Sequence, residues 1–357
     1  MRKIESLFLL IIGIILILAL MVWRLDNATE EKTTESIVIY NWGDYIDPNL
    51  LNKFEKESGL KVIYETFDSN EAMFTKIQQG GTAYDIAIPS EYTIAKMKKE
   101  NLLYPIDHSK IVGMKNIGKH FLNQPFDRGN VYSVPYFWGT VGIVYNKKLV
   151  QGEPPKHWND LWDKKYKNNI LLVDGAREVM GFSLQSLGFS LNSKSMHQLN
   201  ETTKKLDKMT TNVKAVIADE MKMYMVQGEA TVGITFSGVA SMMLQENDQL
   251  HYVIPSEGSN LWFDNLVIPK TAKNIDGAHK FINFMLRPEN AAKNALYVSY
   301  ATPNEKALKL LPKEVREDTQ FYPNDEIKEH LEVYQDLGSK WLEIYNNLFL
   351  SFKMYRK

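Results

Sequence analysis

The sequence predicts an α/β fold in two units, and three observations predict it. Short apolar strands alternate with amphipathic helices from residue 37 to 99. A long extended run follows at 131–146, with Gly139 and Gly142 inside it and no helix signal. The α/β alternation then resumes from 169 to 268. A βαβαβα order requires a mainly parallel sheet with right-handed crossovers. An extended run between two such units can leave one and enter the other.

The elements follow in order. Residues 37–40, Ile-Val-Ile-Tyr, read as a buried strand broken by Asn41 and Gly43. Asp47 caps the next helix, with Pro48 as its first residue. That helix, 48–58, turns Leu51 and Phe54 inward and ends on Gly59 as a left-handed cap. Residues 61–67 alternate as a strand, and 70–79 form a helix stopped by Gly80-Gly81. Residues 84–88 make an apolar strand ending in Pro-Ser-Glu-Tyr, and another helix follows. In the second unit, strands are expected at 169–173, 213–218, 230–236, 252–254 and 261–268. Helices are expected at 176–187, 196–209, 239–245 and 277–286, the last capped near Asp276, and Pro288 opens another.

In open α/β sheets, ligands lie beyond the carboxyl ends of the strands. Trp42 and Tyr45 stand at the end of the first strand, and Ser90 and Tyr92 repeat that pattern at the third. Trp262 and Asp264 share one face of their strand while Phe263 points the other way. Asp174 and Glu178 flank the start of a helix, and Phe236 ends a strand just before Ser237-Gly238. Tyr300 precedes Thr302-Pro303, and Gln335 falls in the C-terminal helical part. On spacing alone, Asp174 and Glu178 serve equally as helix caps, and Trp262 as core.

The 357 residues give room for two domains, and a net charge of −1 argues against nucleic acid as a partner. The chain has no cysteine, which excludes disulfides, thiolate metal sites, cysteine nucleophiles and a lipidated N-terminal cysteine. Phosphate-cradling loops, HExxH, GxSxG and EF-hand patterns are all missing. The seven histidines never fall three or four residues apart, so no metal site is expected. Arg2 and Lys3 precede a charge-free apolar run at 7–23, which has no small-residue cleavage site and ends in Trp23-Arg24. This reads as an uncleaved signal anchor within 1–25, in preference to a removed signal peptide. The polar, acidic stretch 26–35 reads as a tether.

The segments YNWGDYIDPNLL (40–51) and FDSNEAMFTKIQQGGTAYDIAIPSEY (67–92) resemble the spermidine/putrescine-binding proteins of bacterial polyamine ABC transporters. The likeness continues in order through PYFWGT (135–140), LWDKKYK (161–167), DGAREV (174–179), LWFDNLVIP (261–269), INFMLRPENA (282–291) and YATPN (300–304). It implies an α/β, two-lobed periplasmic-binding-protein fold (type II-like), with hinge crossovers and the ligand cleft between the lobes. One lobe is expected from 36–140 plus 262–308, the other from 141–261 plus 309–357. It also implies a non-enzymatic extracytoplasmic receptor without metal or cofactor. Such a receptor takes a polyamine as ligand and ABC-transporter permease subunits as partners, and residues 7–23 would hold this one to the membrane.

Matched residue by residue, the resemblance places Trp42, Tyr45, Ser90, Tyr92, Glu178, Phe236, Trp262, Asp264, Tyr300 and Gln335 at the ligand. The chemistry suits a linear polycation. Its methylenes want flat apolar walls, its ammonium groups are drawn to aromatic faces, and each desolvated charge needs a carboxylate. The chain departs from the family pattern in three places. Gly43 stands where a hydroxyl is usual, Phe236 replaces a tryptophan, and Gly175 replaces an aspartate, with Asp174 just before it. Asp174 is a candidate ligand residue; if it does not reach the ligand, one terminal ammonium lacks a carboxylate, and Gly175→Asp is expected to tighten binding of the longer polyamine. The competing readings are a same-fold receptor for another solute, a carboxylate-pair hydrolase using Asp264 and Glu178, and an adhesion or sensing protein.

Overall fold

Asp47 and Pro48 start the first helix as their order dictates. The Asp47 carboxylate accepts the Asn49 N–H at 2.8 Å, and α1 (Pro48–Ser58) ends on Gly59 at φ 73°. The computed structural model describes residues 35–218 and 220–354. The anchor at 7–23 and most of the tether at 26–35 lie outside these residues.

The helix follows β1 (Ser36–Trp42) and precedes β2 (Lys61–Phe67). Next come α2 (Asn70–Gln79), β3 (Ile86–Ala87) and α3 (Glu91–Lys99). β3 is shorter than the expected 84–88. Asp85 takes the place of a longer ladder, its carboxylate accepting N–H bonds from Val38, Lys273 and Asn274 at 2.7 to 2.9 Å. After β4 (Leu103–Tyr104), the long extended run is a single strand, β5 (Ser133–Asn146). The second unit adds β6 (Ile170–Val173), α4 (Ala176–Gln185), α5 (Met196–Met209) and β7 (Val213–Ile217). It continues with α6 (Glu220–Val226), β8 (Val232–Phe236), α7 (Ser237–Glu246), β9 (Leu250–Val253) and β10 (Ser259–Pro269). α8 (Ile275–Met285), α9 (Pro288–Val298), β11 (Leu331–Glu332) and the C-terminal helix α10 (Ser339–Met354) complete the longer elements.

The strand order is β2-β1-β3-β10-β5-β8-β6-β7, with β9 on β5 and β4 and β11 on β10. β1 pairs parallel with β2 and β3, whereas β10 is antiparallel to β3 and β5. β5 is shared between the two halves. Residues 133–140 pair with β10, and residues 141–146 pair with β8 and β9. Cores flank both halves. Phe54 meets Phe281 and Phe284 edge-on at 5.2 and 5.3 Å in the first, and Trp158, Leu199, Leu206 and Tyr345 fill the second.

Three expectations need correction. Leu50 and Phe54 are the buried pair of α1, and Leu51 is only half-buried. α8 is capped by Asn274, whose Oδ1 accepts the Gly277 N–H at 2.8 Å, because Asp276 already lies inside the helix and binds Lys110. Gln335 lies in irregular chain between β11 and α10, not in a helix. Gly338, at φ 76°, turns that chain into α10.

Candidate functional site

Asp264 sits on β10 where the register with β5 shifts, between Asp264 and Asn265. The bulge turns the strand out of the regular ladder and lets Asp264 bridge Ser90 at the end of the third strand. The Tyr45 hydroxyl donates to Asp264 Oδ2 at 2.6 Å, and the Ser90 hydroxyl donates to Oδ1 at 2.7 Å. The carboxylate is 5% exposed. No lysine, arginine or histidine among the described residues forms an ion pair with it; its two oxygens rest on neutral hydroxyls. Burial pushes its pKa up to about 6, against the pull of Tyr45 and Ser90. Burial and the adjacent carboxylate in turn hold the Tyr45 phenol well above its ordinary range.

An aromatic wall stands around this acid. Tyr300 meets Tyr45 edge-on at 5.4 Å and Trp262 at 5.2 Å, and Phe236 meets Trp262 at 6.3 Å. Glycines make room for the rings. A Cβ at Gly139, directly across the ladder from Trp262, would overlap the indole, and one at Gly238 would overlap the Tyr300 ring. Phe263 turns to the other face, into a cluster with Trp138 and Ala301, as the strand period requires.

Asn70 joins this cluster to a second one. Its amide donates to the Ser90 hydroxyl at 3.0 Å and to the Tyr92 hydroxyl at 2.9 Å, while its carbonyl accepts the Ser90 N–H at 3.0 Å. Tyr92 meets Tyr334 edge-on at 6.4 Å. Glu178 belongs here. Burial raises its pKa, with Arg177 and the Tyr334 hydroxyl acting against the rise, and it influences both Tyr92 and Tyr334. The Arg177 guanidinium lies 4.3 Å from the centre of the Tyr334 ring. Trp42 packs its ring on Phe67 at 4.6 Å, and its indole N–H, like that of Trp262, is buried without a hydrogen-bond partner among the described residues.

The profile of the bacterial extracellular solute-binding protein family matches residues 49–323. The chain belongs to this family. The spermidine/putrescine-binding periplasmic protein of Escherichia coli is 39% identical over 314 residues, covering 88% of this chain and 90% of that protein. The putrescine-binding periplasmic protein of Pseudomonas aeruginosa is 31% identical, covering 85% and 87%. Two solved structures are closer in sequence. The spermidine/putrescine ABC transporter substrate-binding protein of Streptococcus pneumoniae is 63% identical with a TM-score of 0.84, covering 90% of this chain and all of that one. A putative spermidine/putrescine ABC transporter from Listeria monocytogenes is 60% identical with a TM-score of 0.86, at the same coverage. The fold of this solute-binding protein is therefore the two-lobed periplasmic-binding-protein fold.

Two candidate residues of the solute-binding protein stand apart from the clusters. Asp174 is exposed and grips Lys353 of α10 with both oxygens, at 2.8 and 2.9 Å. A ligand ammonium at Asp174 would compete with this lysine. The Gln335 side chain is exposed, and its backbone is tied to Asn192 and Arg177. Its neighbour Tyr334 is the buried member of that segment.

Sequence reasoning missed the residues that position the wall. Asn294 on α9 accepts the Asp47 N–H at 2.9 Å and donates to the Tyr136 hydroxyl at 2.7 Å. Tyr136 in turn donates to the Tyr45 carbonyl at 2.8 Å. It also missed Glu91, fully buried, whose Oε2 accepts the Phe263 N–H at 2.9 Å. An acid directly after the strand-end serine was the available signal.

Proposed function

We propose that this chain is the extracytoplasmic receptor that captures polyamines such as spermidine, putrescine or spermine and passes them to the permease of an ABC transporter. The observation that carries the reading is Asp264, a buried carboxylate held, among the described residues, by neutral hydroxyls and walled by Tyr45, Trp262, Tyr300 and Phe236. A buried charge of this kind is costly until a cation meets it, and aromatic faces favour the same cation. Glu178, with Tyr92 and Tyr334, offers a second acidic end, so a ligand with separated ammonium groups fits better than a monovalent one. The relatives named for spermidine and putrescine support this class.

The role is that of a binding protein without an enzymatic step. In this reading the lobes comprise 36–140 plus 262–308, and 141–261 plus 309–357, and they close over the ligand about the shared strand β5 and its partner β10. Trp42, Ser90, Tyr92, Trp262, Asp264 and Tyr300 hold the ligand from one lobe, Glu178, Phe236 and Gln335 from the other. Residues 7–23 anchor the receptor beside its permease; among the described residues no helix is long and apolar enough to cross a membrane. Cell fractionation with N-terminal sequencing checks the anchor: membrane-bound protein retaining residue 1 is expected, and a soluble product starting after residue 23 would refute it.

Calorimetry against a polyamine panel tests the function. Spermidine has about ten non-hydrogen atoms, and at about −0.8 kcal/mol each the dissociation constant is about 1 μM. The expected result is heat of binding at micromolar polyamine, and no heat at millimolar concentration of any polyamine would refute the reading.

A further inference from the structure

Glu91 is the first residue of α3 and is wholly buried. Its Oε2 accepts the N–H of Phe263, the residue before Asp264, and its Oε1 is buried without a hydrogen-bond partner among the described residues. Ser90 and Asp264 bridge the same two segments one residue along. Two acids thus lie close together where β10 meets the start of α3. The charged and titratable groups facing Glu91 are Asp264 on β10, Arg177 on α4, Tyr92 on its own helix and Tyr334 on the chain before α10. None of them forms an ion pair with it.

We propose that Glu91 is a reserve carboxyl of the polyamine site: it carries a proton in the ligand-free protein and releases that proton to solvent when a polycation docks on Asp264. The inference rests on the polyamine-receptor reading. A buried acid with one bare oxygen favours its neutral form, and the like charge of Asp264 favours it further; the N–H groups of Phe263 and of Glu91 itself and the more distant Arg177 pull the other way without overcoming burial. Burial is the largest cause and pushes the Glu91 pKa up to about 8, above that of Asp264. A cation at Asp264 reverses the local field and favours the ionised form. The site then gains a second negative charge only when a ligand supplies the positive charge to match it. By linkage, a binding event that releases a proton tightens by up to about tenfold per pH unit.

The test is calorimetric titration of the full chain, in detergent, with spermidine at pH 6.5, 7.0 and 7.5. Each titration is repeated in buffers of different ionisation heat, which counts the protons exchanged. The wild type is expected to release about half a proton or more at pH 7 and to bind more tightly as pH rises. Glu91→Gln keeps the acceptor for the Phe263 N–H and removes the titration. It is expected to bind spermidine with a flat pH profile and little proton release, while the ligand's own amines contribute equally to both proteins. Equal proton release in both proteins overturns the proposal, and so does flat affinity in the wild type, which needs no variant. In those cases spermidine still binds and the receptor reading stands. Absence of binding to the wild type at any pH overturns both.

Discussion

Tyr45 and Asp264, 219 residues apart in sequence, are joined by a 2.6 Å hydrogen bond from the tyrosine hydroxyl to the aspartate Oδ2. The bond keeps Asp264 ionised more readily than burial alone would allow. Tyr45→Phe leaves one carboxylate oxygen without its donor. Loss of a bond to a charged group costs about 1.5–3 kcal/mol, so spermidine affinity at pH 7 should fall about 10- to 100-fold. The loss should shrink as pH rises, because the Asp264 pKa moves upward. Titrations of both proteins from pH 6 to 8 check this, and a pH-independent loss would remove Asp264 ionisation from the explanation.

Gly139 faces Trp262 across the β5–β10 ladder, and an added Cβ would strike the indole. The ring has little room to retreat, since it is buried against Tyr300 and Phe236. Overpacking of this kind costs about 1–3 kcal/mol. Gly139→Ala should therefore lower the melting temperature and weaken polyamine binding together. Gly81→Ala, where an added Cβ meets open space, should leave both unchanged.

The pattern that exposed these residues in the sequence was the strand period and the position of strand ends. Trp262 and Asp264 share a face because they stand two positions apart on one strand, and that much is local. Tyr45 and Ser90 were found because each follows a strand. Asn70, Asn294 and Tyr136 were not found, because their roles depend on partners brought in from other elements. The Asp174–Lys353 pair is illegible for the same reason: the two residues lie 179 apart in sequence. Gln335 lies four residues before α10, where Gly338 at φ 76° turns the chain into the helix.

Gly175 carries a further consequence. A Cβ built there would overlap the Glu178 carboxylate, so an aspartate at 175 must displace Glu178 and set two like charges side by side. Contrary to the expectation from the family pattern, Gly175→Asp should not tighten spermidine binding. An affinity equal to or weaker than the wild type is predicted, by calorimetry at pH 7. A clear gain would mean that Glu178 turns aside without cost and that the new acid reaches the ligand.

The buried acids also set the pH dependence of stability. Glu91, Asp264 and Glu178 all have pKa values raised by burial, Glu91 to about 8 and Asp264 to about 6. The folded protein holds protons that the unfolded chain has released above about pH 4.5. Their stabilising effect is therefore complete at low pH and is lost as pH rises toward 8. The ligand-free protein should melt at least about 5 °C lower at pH 8 than at pH 5. Glu91→Gln should lose most of the decline between pH 6 and 8. An identical slope in both proteins would show that Glu91 is already ionised in the folded state.

The measurement that bears most directly on the receptor reading is the affinity of Asp264→Asn for spermidine, set beside that of Ser90→Ala. Asparagine keeps the shape and one acceptor but removes the charge. Breaking a buried ion pair by neutralising one partner costs about 3–5 kcal/mol, so Asp264→Asn should bind at least about 100-fold more weakly. Ser90→Ala removes one hydroxyl from the carboxylate and should cost about tenfold or less. With both variants melting like the wild type in the absence of ligand, that order places an ammonium group on Asp264. An Asp264→Asn loss no greater than that of Ser90→Ala would contradict it.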